Sequence, residues 1–284
     1  VAVIYSGSLE HHVVMYKSED NGATWERRVV WENPYYGYDW NDANSVYSDT
    51  MYGPAHVALA IDNESVSHVA LSSYMYYHAE VGTSYSVWRG LTSDGIVYWN
   101  DEQSGPIQSS NGNPHDALRL WVSGSDGYIY HIEEADKKFC GWLPNPSEVW
   151  NSSIYMKDDY FYAMLGTSAY PSIAVDAEGN LAVAYSSPDV NRVSEDGYYL
   201  RSIYVSYKPA GQENWNVACD NMYDYVDLDA LMDECLSVTA VNNPVNINEF
   251  WFSFLTDNKL GLYNGNNASQ QTNSVSSVKV AKFK

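Results

Sequence analysis

The sequence predicts an all-β chain built from short antiparallel strands that repeat along its length. Three observations predict it. Strand-length segments rich in Val, Ile, Tyr and Trp are bounded throughout by Gly, Asn, Asp and Ser. The aromatic content is skewed to strand formers, with 26 Tyr and 10 Trp against 6 Phe. One pattern, an apolar strand, an Asp-initiated turn, a second apolar strand and a Ser-Ser exit, occurs at His56–Ser73 and again at Pro171–Ser187.

The first unit reads as strands Val1–Tyr5, His12–Lys17 and Glu26–Trp31, with a tight turn between the last two. In that turn Asp20 can accept hydrogen bonds from nearby backbone N–H groups, and Gly22 can take a positive φ at little cost. Thr24 is expected to open the next strand and Trp25 to enter the core beside the turn. Glu32–Gly53 reads as a loop, too long for a simple connection and dense in Tyr, Trp, Asn and Asp, so it is a candidate functional loop.

The two repeated hairpins are rich in small residues, which suits crowded strands near the axis of a β-propeller. The expected fold is one propeller domain over 1–284, with four-stranded antiparallel blades, about five to six of them. Two further turns have similar chemistry: Ser93-Asp94-Gly95 leads into Ile96–Trp99, and Ser125-Asp126-Gly127 into Tyr128–Ile132. Asn100–Asp116 and Glu133–Asp159 read as loops. Glu249–Leu255 and Val275–Phe283 are the last strands, the final one expected to close the ring against an N-terminal strand.

The stretch Ser18-Glu19-Asp20-Asn21-Gly22-Ala23-Thr24-Trp25 resembles the Asp box, or BNR repeat, of the sialidase superfamily and other propellers. The resemblance implies a structural turn, formed by Ser18, Asp20, Gly22, Thr24 and Trp25, between the third and fourth strands of a blade and away from the ligand face. Lys208–Trp215 looks like a second such box that has lost its Asp. The pieces Ser93–Asn100, Tyr170–Asn180, Arg201–Val205 and Thr256–Leu262, in that order behind the box, are similar to large secreted Bacteroidetes proteins, many of which end in a type IX secretion sorting domain. This implies an extracellular or cell-surface location, and N-terminal blades and a sorting domain lying outside the chain. Asp49-Thr50-Met51 fits the O-glycosylation pattern of those bacteria, at Thr50.

Charge narrows the partners. With 36 acidic against 15 basic side chains the formal charge is −21, which repels nucleic acid and anionic membrane. No apolar run reaches the length of a membrane span. The chain begins at Val1, within a strand and without an initiator Met, and is read as a processed or incompletely represented chain whose export signal has been lost. Cys140, Cys219 and Cys235 are too few for a disulfide scaffold; Cys219 and Cys235 are read either as a pair or, with Cys140, as buried thiols.

No cofactor is required by any motif. Asp224, Asp227 and Asp229 lie in the most acidic segment and are candidate ligands for a structural Ca²⁺, against the alternative of a solvated acidic loop. Two function classes remain. Candidate loops carry exposed aromatic groups suited to stacking on sugar rings or anchoring a surface protein: Tyr35, Tyr36, Tyr38 and Trp40, then Trp88 with Arg89, then Tyr198 and Tyr199. This is the expectation of a non-catalytic recognition protein that binds glycan or protein. A sialidase-like glycoside hydrolase is the alternative, and it would need three convergent Arg. The six are Arg27, Arg28, Arg89, Arg119, Arg192 and Arg201, with Arg27 and Arg28 tied to the outer part of a blade.

Overall fold

The computed structural model describes residues 1–5, 12–33, 50–77, 86–88, 96–102, 105–108, 169–193, 199–212, 216–221, 234–241, 250–257 and 276–283. These form fifteen strands and, among the described residues, no helix. The first sheet contains β1 (Ala2–Tyr5), β2 (Val13–Lys17) and β3 (Glu26–Glu32). In the second, β4 (Thr50–Ile61) pairs with β5 (Ser67–Tyr77), and both β6 (Ser86–Trp88) and β7 (Ile96–Asn100) pair with the far side of β5 rather than with each other. Ser93–Gly95, between them, lie outside the described residues. β8 (Ile107–Gln108) returns to the first sheet and runs parallel to β3.

The third sheet has the order β12-β11-β10-β9, from β9 (Ala169–Val175), β10 (Leu181–Val193), β11 (Tyr199–Lys208) and β12 (Asn216–Asn221). The fourth is β13-β14-β15, from Glu234–Val241, Phe250–Asp257 and Ser276–Phe283. Apart from β8, every pairing is antiparallel. The last strand, expected to close on an N-terminal one, pairs along its whole length with β14.

The sheets stack in chain order, and the two faces of each inner strand divide between neighbours. On β7, Val97 and Trp99 pack with Val13, Met15 and Trp31 of the first sheet, while Ile96 and Tyr98 pack with Ile173 and Val183 of the third. On β10, Leu181, Val183 and Tyr185 face the second sheet, and Ala182 and Ala184 face Phe250, Phe252 and Phe254 of the fourth. Strands covered on both faces need apolar residues at successive positions, which is why these segments read as continuous runs rather than alternating ones. Each fully buried large side chain contributes roughly 1.5–3 kcal/mol. Between sheets, β1 lies near β4, β9 near β4 and β5, and β13 near β9, β10 and β11.

Two local expectations are corrected. Trp25 is 44% exposed instead of entering the core; its ring lies against Gly22 and its Nε1 donates to the Gly22 carbonyl at 3.1 Å. The turn is too tight to carry the indole past its own backbone, so the ring folds back over it. Thr50, placed in a loop by its neighbours' polarity, opens β4 opposite Tyr77, because Met51 and Tyr52 extend the ladder against Tyr76 and Met75.

Candidate functional site

One end of the stack is held by Asp-initiated turns that are nearly superposable in hydrogen bonding. Asp62 Oδ1 accepts from Glu64 N at 2.9 Å and Val66 N at 2.8 Å. Asp176 Oδ1 accepts from Glu178 N at 3.0 Å and Asn180 N at 2.8 Å. In the turn joining β2 to β3, Asp20 accepts from Thr24 N at 2.8 Å, Thr24 Oγ1 at 2.6 Å and Ser18 Oγ at 2.8 Å, while Ser18 Oγ accepts from Gly22 N at 2.7 Å. These bonds, the Thr24 hydroxyl first, lower the Asp20 carboxyl to about 2. Further bonds tie the turns together: between sheets, Lys17 Nζ donates to Ser65 O and Asn63 Nδ2 to Ala177 O at 2.9 Å, and within the third sheet Ala210 N donates to Asn180 Oδ1 at 2.8 Å. This end is built for rigidity.

Two buried polar clusters sit just inside it. The Asp101 carboxylate meets Lys17 Nζ at 2.7 Å and Ser67 N at 3.0 Å; burial alone would raise its pKa, and these bonds outweigh that and hold it below the usual value. His68 bridges Asp62 Oδ2, at 3.1 Å from Nε2, and the Tyr98 hydroxyl, at 2.7 Å from Nδ1. Asn100 Nδ2 donates to the same hydroxyl at 3.1 Å. A neutral imidazole protonated on Nε2 satisfies the whole series, with Tyr98 donating to Nδ1 and accepting from Asn100. Burial lowers the His68 pKa against the opposing pull of Asp62, and raises that of Tyr98. Lys208 Nζ lies 5.4 Å from the centre of the Tyr98 ring.

Six residues before Asp62 and before Asp176, at matching positions of the two repeats, stand His56 and Tyr170. Their ring centres are 4.2 Å apart at an interplanar angle of 43°, and both residues are half-buried. Each first strand carries a β-bulge here. On β4, Ala55 and His56 oppose Ser72 alone; on β9, Tyr170 and Pro171 oppose Tyr185 alone. Ser72, from the Ser-Ser exit, is buried under His56, its Oγ accepting from His56 N at 3.2 Å and lying 3.4 Å from Nδ1. Tyr170 has φ of 50°, a conformation uncommon for a bulky residue and further disfavoured ahead of a proline. Strain of this kind costs of order 1–3 kcal/mol and collects at functional positions. The pair sets an imidazole beside a phenol, ring types that stack on and hydrogen-bond to polyhydroxylated ligands.

Of the residues singled out from the sequence, Tyr35, Tyr36, Tyr38, Trp40, Arg89, Tyr198, Asp224, Asp227 and Asp229 lie outside the described residues. Trp88 and Tyr199, expected in loops, stand on β6 opposite Met75 and on β11 opposite Val193, because β-forming aromatics extend the ladders on either side. Among the described residues no group of His, Cys, Asp and Glu is placed to hold a metal ion, and no helix is long and apolar enough to cross a membrane. His56 and Tyr170 were missed as site residues, although aligning the repeats on their Asp residues sets the two rings at one position.

No protein-family model matches the chain, and no curated protein matches its sequence. Among solved structures, a protein of unknown function from Dyadobacter fermentans is similar at 12% identity with a TM-score of 0.40, over 86% of this chain and 51% of its own. An ulvan lyase described as a new family of polysaccharide lyase is similar at 9% identity with a TM-score of 0.41, over 90% of this chain and 49% of its own. The chain therefore spans about half the length of each. Likenesses this distant carry nothing about activity.

Proposed function

We propose that the chain belongs to an exported bacterial β-propeller, with the Ser18–Trp25 turn as its Asp box and its stacked sheets as consecutive blades, and that it recognises glycan without cleaving it. The observation that carries this reading is the His56–Tyr170 pair, two half-buried rings in contact on neighbouring first strands, one held in a strained backbone conformation. The proximity of β1 to β4, β4 to β9 and β9 to β13 is what supports a radial arrangement with first strands nearest the axis.

A glycan array and a fluorogenic glycoside screen on one sample test this together. Binding without turnover is expected, with Tyr170→Ala and His56→Ala each costing at least about 1 kcal/mol, roughly fivefold in affinity. Glycoside hydrolysis abolished by the same substitutions would transfer the protein to the sialidase-like reading. Binding that survives both substitutions unchanged would remove the site.

A further inference from the structure

We infer that Asn21 is a latent deamidation site, guarded by the Ser18 hydroxyl and the Trp25 indole, which hold the peptide groups on either side of Gly22. An Asn-Gly step is open to this chemistry because glycine places no side chain in the way of its own amide nitrogen. Here Asn21 is exposed and Gly22 half-buried, and their φ values are 58° and 92°.

The reaction is an internal acyl transfer. The Gly22 nitrogen, having given its proton to solvent, attacks Asn21 Cγ. An N–Cγ bond forms, the Cγ–Nδ2 bond breaks, and the amide nitrogen leaves as ammonia with a proton taken from water. One water then opens the five-membered succinimide at either of its two carbonyl groups, giving aspartate or isoaspartate.

The first step needs the Gly22 N–H to lose its proton and the nitrogen to swing towards Cγ, and the turn opposes both. Gly22 N donates to Ser18 Oγ at 2.7 Å. Ser18 is buried and donates its own proton to Asp20 Oδ1 at 2.8 Å, which aims the oxygen lone pairs at Gly22. On the other side Trp25 Nε1 donates to the Gly22 carbonyl at 3.1 Å, and its ring lies 3.7 Å from where a Cβ on Gly22 would stand. The exposed indole therefore clamps the one residue whose movement starts the reaction. The product cannot restore the guard: isoaspartate adds one carbon to the main chain at residue 21 and a carboxylate beside Glu19 and Asp20, so Gly22 N loses its register with Ser18 Oγ.

The test is peptide mapping by mass spectrometry of the full chain aged at mildly alkaline pH, which reads Asn21 apart from the other Asn-Gly steps of the sequence, Asn111-Gly112 and Asn264-Gly265. Asn21 in wild type is expected to deamidate at least about tenfold more slowly than in a free peptide spanning residues 17–26, since attack must await local opening. Ser18→Ala should speed it about fivefold, and Trp25→Phe, which keeps a ring and removes the donor, by a smaller factor. Gly179→Ala, in a turn of the third sheet, should leave the rate unchanged. Should Ser18→Ala lose its cooperative melt, Trp25→Phe together with hydrogen exchange of the Gly22 amide in wild type carries the test, and that amide should exchange at least about tenfold more slowly than in the peptide. Wild type that deamidates as fast as the peptide, Ser18→Ala or Trp25→Phe no faster than wild type, or an equal acceleration by Gly179→Ala overturns the proposal.

Discussion

Ser65 and Gly179 occupy the same position in two matching turns, three residues after Asp62 and Asp176, with φ of 67° and 83°. Both donate their backbone N–H to the carbonyl of the initiating Asp, at 3.1 Å in each turn. Only one of them is the residue that this conformation favours. Gly179→Ala is expected to lower stability by about 1 kcal/mol or more, although a Cβ there would have room, 3.8 Å from that of Ala210. Ser65→Gly should be neutral or stabilising by up to about 1 kcal/mol, because release of left-handed strain opposes the added entropy of the unfolded chain. Urea denaturation of the two variants checks the contrast.

Tyr170 should separate stability from binding. Tyr170→Gly relieves a strained backbone and removes a half-buried ring, effects of similar size and opposite sign, so stability should change by no more than about 1 kcal/mol. Glycan affinity should nevertheless fall at least about fivefold. A thermal melt alongside a binding isotherm reads both.

His68 makes the fold sensitive to mild acid. Its pKa is lowered from an ordinary value of 6.5, so its contribution is fully present above that value and is lost as pH falls through the folded-state value. The charged groups around it are Asp62, Lys208 and Asp101. The urea midpoint of wild type should drop below pH 6.5, and that of His68→Gln, which cannot titrate, should drop less. Asp20 acts lower on the scale: its contribution is present above the ordinary carboxyl value of 3.8 and lost as pH falls toward about 2, so Asp20→Asn should flatten that part of the acid limb.

Lys17 and Asp101 form a buried pair with side chains 9% and 4% exposed. Lys17→Met leaves the carboxylate its Ser67 bond and the more distant Arg28 guanidinium at 3.6 Å but removes its nearest cation, and should cost about 3 kcal/mol, the low end for a broken buried pair. Combining it with Asp101→Leu should recover part of that loss, and a double-mutant cycle by urea denaturation measures how much.

The strands were legible because burial on both faces leaves apolar runs such as Leu181–Tyr185 between strong turn residues, and the turns because Asp62, Asp176 and Gly179 act through local hydrogen bonds. The repeat pairing His56–Ser73 with Pro171–Ser187 was legible for the same reason. What local chemistry does not encode is contact between rings 114 positions apart, or a one-residue register shift within a long strand. The two-residue parallel return of β8 to β3 had no signal of its own. Trp25 misled because a tryptophan beside a turn is usually buried, and here its own glycine gives it a surface to cover.

The most direct measurement is a crystal structure with an array-positive oligosaccharide bound. The proposal predicts a sugar ring against Tyr170 with a hydroxyl in hydrogen-bonding reach of His56. Sugar bound over Tyr35–Trp40 with the His56–Tyr170 pair bare would contradict it.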